Sequence, residues 1–206
     1  SGLTTTALAG LSTDNIAALT AKQIVALNTN QLASIDATQL GALTTTAIAA
    51  LSATQVASLK TDILVGLQAN QVAALSNKQL VALTTDQLNV FTTDSIAALT
   101  ATQASALTSA QVATLDDSEL NLFTTAEIAA LNVKALSGLT TAALAGLSTD
   151  NLVALSGKQI AALNTDQIAS IDATQLGAMT NDQIKSLTAT QVAAISTDSI
   201  LGLKDT

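Results

Sequence analysis

Large apolar residues return along this chain at two fixed phases of an eight-residue period. One series runs Leu3, Leu11, Leu19, Leu27, Ile35, Leu43 and on through Ile195 to Leu203. The other runs Leu8, Ile16, Ile24, Leu32, Leu40, Ile48 and on to Ile200, with Ala104 as its single small member. Counting each octad from the first series puts the two at positions 1 and 6. Positions 2 to 5 between them are mostly polar, and positions 7 and 8 are mostly Ala, Gly or Ser. The consensus is L-[ST]-x-x-Q-[ILV]-A-A, as in LTATQVAA at 187–194, and 25 octads cover residues 3–202 of the 206.

An eight-residue period over two turns would need 4.0 residues per turn, and an α-helix has 3.6, so one continuous helix is excluded. A plain strand fails as well. Spacings of five and three are both odd, so the two series would point to opposite faces and neither face would be consistently buried. A β-solenoid survives as the alternative only if each octad contains a corner.

The polar positions favour short helices. Position 2 is Ser, Thr, Asn or Asp in 23 of 25 octads, the exceptions being Lys60 and Gln68. These residue types cap helix N-termini by accepting from a free N–H of the first turn. Three residues later, Gln or Glu stands in 16 of 25 octads, completing a capping box. The Leu before the cap and the apolar residue four after it form the N′–N4 hydrophobic staple. Each octad is thus a complete helix-start signal that recurs before the previous helix can lengthen. The predicted fold is all-α: a solenoid of capped helices of about six residues, one per octad. Helices this short are marginal alone and must be held by stacking on neighbours. The small residues at positions 7 and 8 allow that stacking.

A longer repeat lies over the octads. Residues 3–42 and 139–178 align without gaps at an offset of 17 octads and match at 32 of 40 positions; both copies end in IDATQLGA. Neither end carries a polar capping unit of the kind solenoids need for solubility. The expectation is a single repeat domain over residues 1–206, an excerpt of a longer array, with ends able to stack on each other and with neighbouring repeats as partners.

Composition removes several function classes. The chain has no His, Cys, Arg, Pro, Tyr or Trp; its seven basic residues are all Lys, and fifteen acidic residues leave a net charge of −8. An acidic, Arg-free surface opposes nucleic-acid binding, which depends on neutralising phosphates. Apolar runs are too short for membrane insertion. Catalysis would have to rest on surface carboxylates, Lys and hydroxyls, and no Gly-rich phosphate loop is present. The expectation is a non-enzyme without cofactor or metal. Asp at position 4 in eight octads (Asp14, Asp62, Asp86, Asp94, Asp150, Asp166, Asp182 and Asp198) complements the positive end of each helix dipole. Calcium would need six to eight converging oxygens, and no D-x-D-x-D-G loop is present. The densest acidic spot is Asp116, Asp117 and Glu119. Regular Thr on one face suggests ice binding, but the caps already account for the hydroxyls.

One region departs from the pattern. QLNVFTTDSIAAL at 87–99 and ELNLFTTAEIAAL at 119–131 carry the only two Phe residues, each preceded by a bulky residue at position 8. Val90, Phe91, Leu122 and Phe123 are therefore the candidate apolar binding patch, unless the larger side chains merely widen the coil.

The text L-[ST]-x-x-Q-[IV]-A-A-L, as in LSATQVASL at 51–59 and LTATQVAAI at 187–195, resembles repeat regions of very large secreted or surface-anchored bacterial proteins of the adhesin and haemagglutinin type. That resemblance implies an extracellular or cell-surface location and a stalk or spacer role, and it carries no site residues. The alternative is an adhesion module that binds a protein or glycan through the face around residues 88–123. LTATQVAAIS also resembles the opening helix of a transcription-activator-like effector repeat, but no second helix, 34-residue period or basic stripe follows it.

Overall fold

A computed structural model of the chain describes residues 2–200; Leu203, the last member of the first apolar series, lies outside them. Every octad forms one helix: twenty-four are α-helices of four to six residues, and residues Ala135–Gly138 form a 3₁₀ helix. No strand occurs among the described residues, which removes the β-solenoid alternative.

Each helix starts and stops for local reasons. At Ser76 the backbone is extended and the hydroxyl accepts from the Gln79 N–H at 3.3 Å, while the Gln79 Oε1 accepts from the Ser76 N–H at 2.7 Å. The same reciprocal box opens the helices at Asn28, Asp36, Ser52, Thr84, Asn164 and Thr188. Lys60 supplies no side-chain cap. A helix ends because the next octad needs extended backbone at its own position 1. Leu83 sits at φ −66°, ψ 135° and donates its N–H to the Leu80 carbonyl at 3.2 Å, closing the last turn. One octad departs from this scheme. The Asn132 side chain accepts from the N–H of Lys134, two residues on, instead of three on, and the tighter 3₁₀ turn follows.

The chain divides into two compact units, Ser1–Gln103 and Ala104–Thr206. The division falls at Ala104, the one small member of the second series. In both units the helices that pack closely are three octads apart. Ala21–Val25 lies on Thr45–Ala50 and Ala53–Ala57 on Asn77–Ala82 in the first unit; Ser109–Val112 lies on Ala135–Gly138 and Gly157–Ala162 on Asn181–Ser186 in the second. Three octads therefore make one coil. Position 6 forms the innermost core, with Leu32, Leu40, Val72, Leu80, Leu152 and Ile160 fully buried. Burying one such side chain contributes about 1.5–3 kcal/mol, which replaces what a helix this short lacks in hydrogen bonds of its own.

Positions 5 and 6 face opposite ways along the coil axis. In the first coil, residues 3–26, position 6 is buried (Leu8, Ile16, Ile24) and position 5 is exposed (Ala7, Asn15, Gln23). In the last described coil, residues 179–200, position 5 is buried (Gln183, Gln191, Ser199), while Val192 and Ile200 at position 6 are exposed and Ile184 is half-buried. Position 5 is thus covered by the preceding coil and position 6 by the following one.

Candidate functional site

The most repeated polar arrangement in the molecule is built on the buried glutamines of position 5. The Oε1 of each serves the capping box of its own helix, which leaves two N–H donors on Nε2. In the first unit Gln39 Nε2 donates to the carbonyls of Ala9 (3.1 Å) and Leu11 (2.7 Å), and Gln71 to those of Leu40 (3.1 Å), Gly41 (3.2 Å) and Leu43 (2.6 Å). In the second unit Gln175 donates to Leu144 (2.9 Å), Ala145 (3.1 Å) and Leu147 (2.7 Å), and Gln191 to Ile160 (2.9 Å) and Leu163 (2.7 Å). The acceptors lie 28, 30 or 31 residues earlier. They are the last carbonyls of one helix and the linking carbonyl before the next; the position-6 carbonyls among them, such as those of Leu40 and Ile160, also accept from the N–H of the following position 1 (3.2 and 3.1 Å). Shorter side chains make the same reach in places: Asn151 to Leu120 (3.3 Å) and Phe123 (3.2 Å), Ser95 to Leu67 (3.3 Å) and Ser199 to Ile171 (2.7 Å). Sequence reasoning found these glutamines as caps and missed the second bond. The signal was present: position 5 holds 14 Gln and only 2 Glu, although either would complete a capping box.

Some octads have no amide at position 5, and there a second kind of joint appears. Ile63, Ala135 and Ala143 stand at position 5 of octads whose position 8 is Gly66, Gly138 and Gly146. A Cβ on Gly66 would lie 1.9 Å from the Ala37 carbonyl oxygen, one on Gly138 1.8 Å from that of Ser109, and one on Gly146 2.5 Å from the Asp117 Cβ. These glycines have negative φ, so close approach of the coils, not backbone conformation, requires them.

The candidate patch divides into two kinds of position. Phe91 and Phe123 occupy the first apolar series and are buried, at 7% and 3% exposure. Val90 is half-buried and Leu122 is 37% exposed. Val90 and Phe91 belong to the first unit, Leu122 and Phe123 to the second.

All eight position-4 aspartates are exposed in the first turns of their helices, and no group of acidic residues among those described could hold a metal ion. At the acidic spot Asp116 caps its helix. It accepts from the Ser118 hydroxyl (2.6 Å) and the Glu119 N–H (2.9 Å), bonds that hold its carboxyl below the usual carboxylate range. Glu119 is pushed up, mainly by burial and further by the Asp116 charge. Two hollows open on the first unit. One of about 470 Å³ is lined by Thr13, Thr38, Gly41, Gly66 and Gln68, and one of about 240 Å³ by Leu3, Leu19, Gln23, Ala26 and Leu27. No helix is long and apolar enough to cross a membrane among the described residues.

Fold and site together define an all-α repeat protein whose coils are tied by side-chain amides. A family model of the ALTTAQ repeat matches residues 1–29, 64–101 and 144–171, under half of the chain. Its six letters correspond to ALTTDQ at Ala82–Gln87: a small residue, the core Leu, the Thr cap and the Gln that closes the box and ties the coils. No curated protein matched the chain in sequence comparison.

Proposed function

We propose that this chain is a non-catalytic structural spacer, a stalk segment of a large extracellular or cell-surface bacterial protein. The observation that carries the reading is the glutamine ladder. Both functional groups of each buried Gln are used inside the array, one on its own helix and one on the preceding coil. The polar chemistry that repeats most often is therefore spent on lengthening a solenoid by nearest-neighbour contacts. The surface left over is acidic, which favours solubility. The resemblance to adhesin and haemagglutinin repeats supports the location.

The chain has no Cys, so single cysteines placed near residues 2 and 200 report end-to-end distance by fluorescence transfer or spin-label spectroscopy. A spacer predicts that each inserted block of three octads lengthens that distance by the same increment. Collapse of the increment after one or two insertions would overturn the reading.

A second reading, protein or glycan binding through the face around residues 88–123, is favoured by one observation: Leu122 is exposed at a position that, Val90 and Thr114 aside, elsewhere holds Ala, Gly or Ser. Saturable binding to a glycan or protein panel, lost in Leu122→Ala and Val90→Ala, would establish it in place of the spacer.

A further inference from the structure

We propose that copies of this chain pair side by side with their axes parallel, a basic flank of the second unit of one copy seating on an acidic flank of the second unit of the next. The helices of that unit stack in three columns. One column holds Ser109–Val112, Ala135–Gly138, Gly157–Ala162 and Asn181–Ser186, each packed on the next. A second holds Asp117–Leu120, Thr141–Ala145, Thr165–Ala169 and Ala189–Ala194, and a third Thr125–Ala130, Thr149–Ala154, Ala173–Ala178 and Thr197–Ile200. Charge is sorted between them. The octads of the first column carry Lys134, Lys158 and Lys185, all exposed, against the one acid Asp182. Those of the second carry Asp116, Asp117, Glu119 and Asp166 and no Lys, and those of the third are likewise acidic without Lys. Two large apolar side chains of this unit are exposed before the last described coil: Val133 in the first column, at 42%, and Leu122 in the second, at 37%. Val133 is the only large apolar residue at position 3 of any octad.

Handedness selects the register. Both copies wind with the same hand, so where two parallel coils touch side by side their chains run in opposite directions and facing helices are antiparallel. Position 3 of one helix then lies opposite position 8 of the other, and position 7 opposite position 4. An offset of two octads sets residues 131–138 against residues 115–122 of the second copy, and residues 179–186 against its residues 163–170. Val133 meets Leu122 of the second copy, and Lys185 meets its Asp166. Lys134 lies opposite its Asn121, one helical turn (about 5.4 Å) from its Asp117. The third column offers Val133 only Ala130, Ala154 and Ala178 at position 8, so the second column is the better seat. Pairing like columns would set Lys against Lys or acid against acid. The contact therefore joins two different patches and is heterologous. The net charge of −8 opposes approach of the copies. At about 0.1 M salt the Debye length of about 10 Å screens the remote acids and leaves the contact pairs, and at about 1 M, where it is about 3 Å, the pairs weaken too.

Sedimentation velocity of the chain at up to about 1 mM in about 0.1 M salt tests the proposal. Lys134→Glu with Lys185→Glu makes the basic column acidic. Asp117→Lys with Asp166→Lys makes the opposing column basic. Lys22→Glu with Lys78→Glu changes net charge as much as the first pair does, but in the first unit. All six side chains are exposed, and thermal melting checks that each variant keeps its fold. The parent is expected to associate, and at least about tenfold more weakly in about 1 M salt. Each column variant alone is expected to associate at least about tenfold more weakly than the parent, and the Lys22 and Lys78 variant within about threefold of it. For Asp117→Lys with Asp166→Lys this runs against net charge, whose reduction alone would favour association. An equimolar mixture of the two column variants is expected to recover parent-like association, because each offers the charge that the other lacks. A parent that stays monomeric throughout, column variants that associate like the parent, a first-unit variant that weakens as much as they do, or a mixture without recovery would each overturn the proposal.

Discussion

Residues 131–146 and residues 155–194 lie in the same unit and repeat the same octad, yet they join their coils differently. From Gln159 to Gln191, five consecutive octads place an amide at position 5, and each reaches the carbonyls of the coil before it. In the two octads at 131–146 the amide is replaced by Ala135 and Ala143, and Gly138 and Gly146 let the backbone come close enough that any Cβ would collide. The first unit repeats the contrast, with Gly66 and Ile63 beside the glutamine octads at Gln71, Gln79 and Gln87. An amide long enough to bridge two coils holds them apart, whereas without it they close until only hydrogen fits at position 8. Ala47, Glu119 and Glu127 are exceptions: their octads have neither a side-chain donor reaching back from position 5 nor a glycine at position 8, and nothing in the structure explains how they manage without them.

This comparison can be broken from either side. The largest effect is expected from Gln167→Glu, which keeps the shape but turns a donor toward the Leu136 and Leu139 carbonyls into a buried charge facing oxygen. A loss of roughly 3–5 kcal/mol in denaturant unfolding is expected; a loss no larger than that of a surface substitution would show that the amide is not what ties the coils. Next is Gly138→Ala, which should cost about 1–3 kcal/mol through overpacking. Ala162→Gly, at the same position of a glutamine-tied octad, is the control and should cost about 1 kcal/mol or less. Equal effects at the two sites would remove the distinction between the joints.

The smallest effect lies in acid. Asp116 has a lowered carboxyl value in the folded state, so it adds stability above its ordinary value near 3.8 and loses it as pH falls through the depressed one. Glu119 has a raised value, so its ionisation opposes folding above its ordinary 4.5, and that penalty is relieved as pH falls through the raised value. Glu119→Gln is therefore expected to melt slightly higher than the parent at neutral pH, with the advantage shrinking on acidification. Asp116→Ala should melt lower at neutral pH, with the deficit shrinking below pH 3.8. Thermal melts across that range check both signs.

Local structure was largely legible in the sequence. The N-cap residues, the Leu before them and the apolar residue four after fix each helix start through contacts within one octad, and Ser76 to Leu80 shows all of them. What could not be read was any partner 28 or 31 residues away, because that needs the number of octads per coil. Gln79 could be identified as half of a capping box with Ser76, but its bond to Leu51 could not. The residues at 131–138 were illegible for a different reason. Asn132 is an N-cap type, as Asn28 and Asn164 are, yet its side chain turns to the nearer N–H, and composition does not distinguish the two outcomes. The candidate patch illustrates the limit at the site: Phe91 and Phe123 looked like exceptions by type but fill ordinary core positions.

The constancy of the lateral bond has a consequence for how the gene can change. Gln39 and Gln175, which end duplicated blocks 17 octads apart, bond to carbonyls at the same three separations. Seventeen is not a multiple of three, so correct bonding does not depend on where in a coil an octad falls. Unequal recombination that adds or removes whole octads gives every amide an equivalent acceptor from the new neighbour. A slip of any other length aims the whole downstream ladder at the wrong atoms. Adding or removing whole octads is therefore expected to cost folding little, while a change of any other length is expected to cost it the whole downstream ladder.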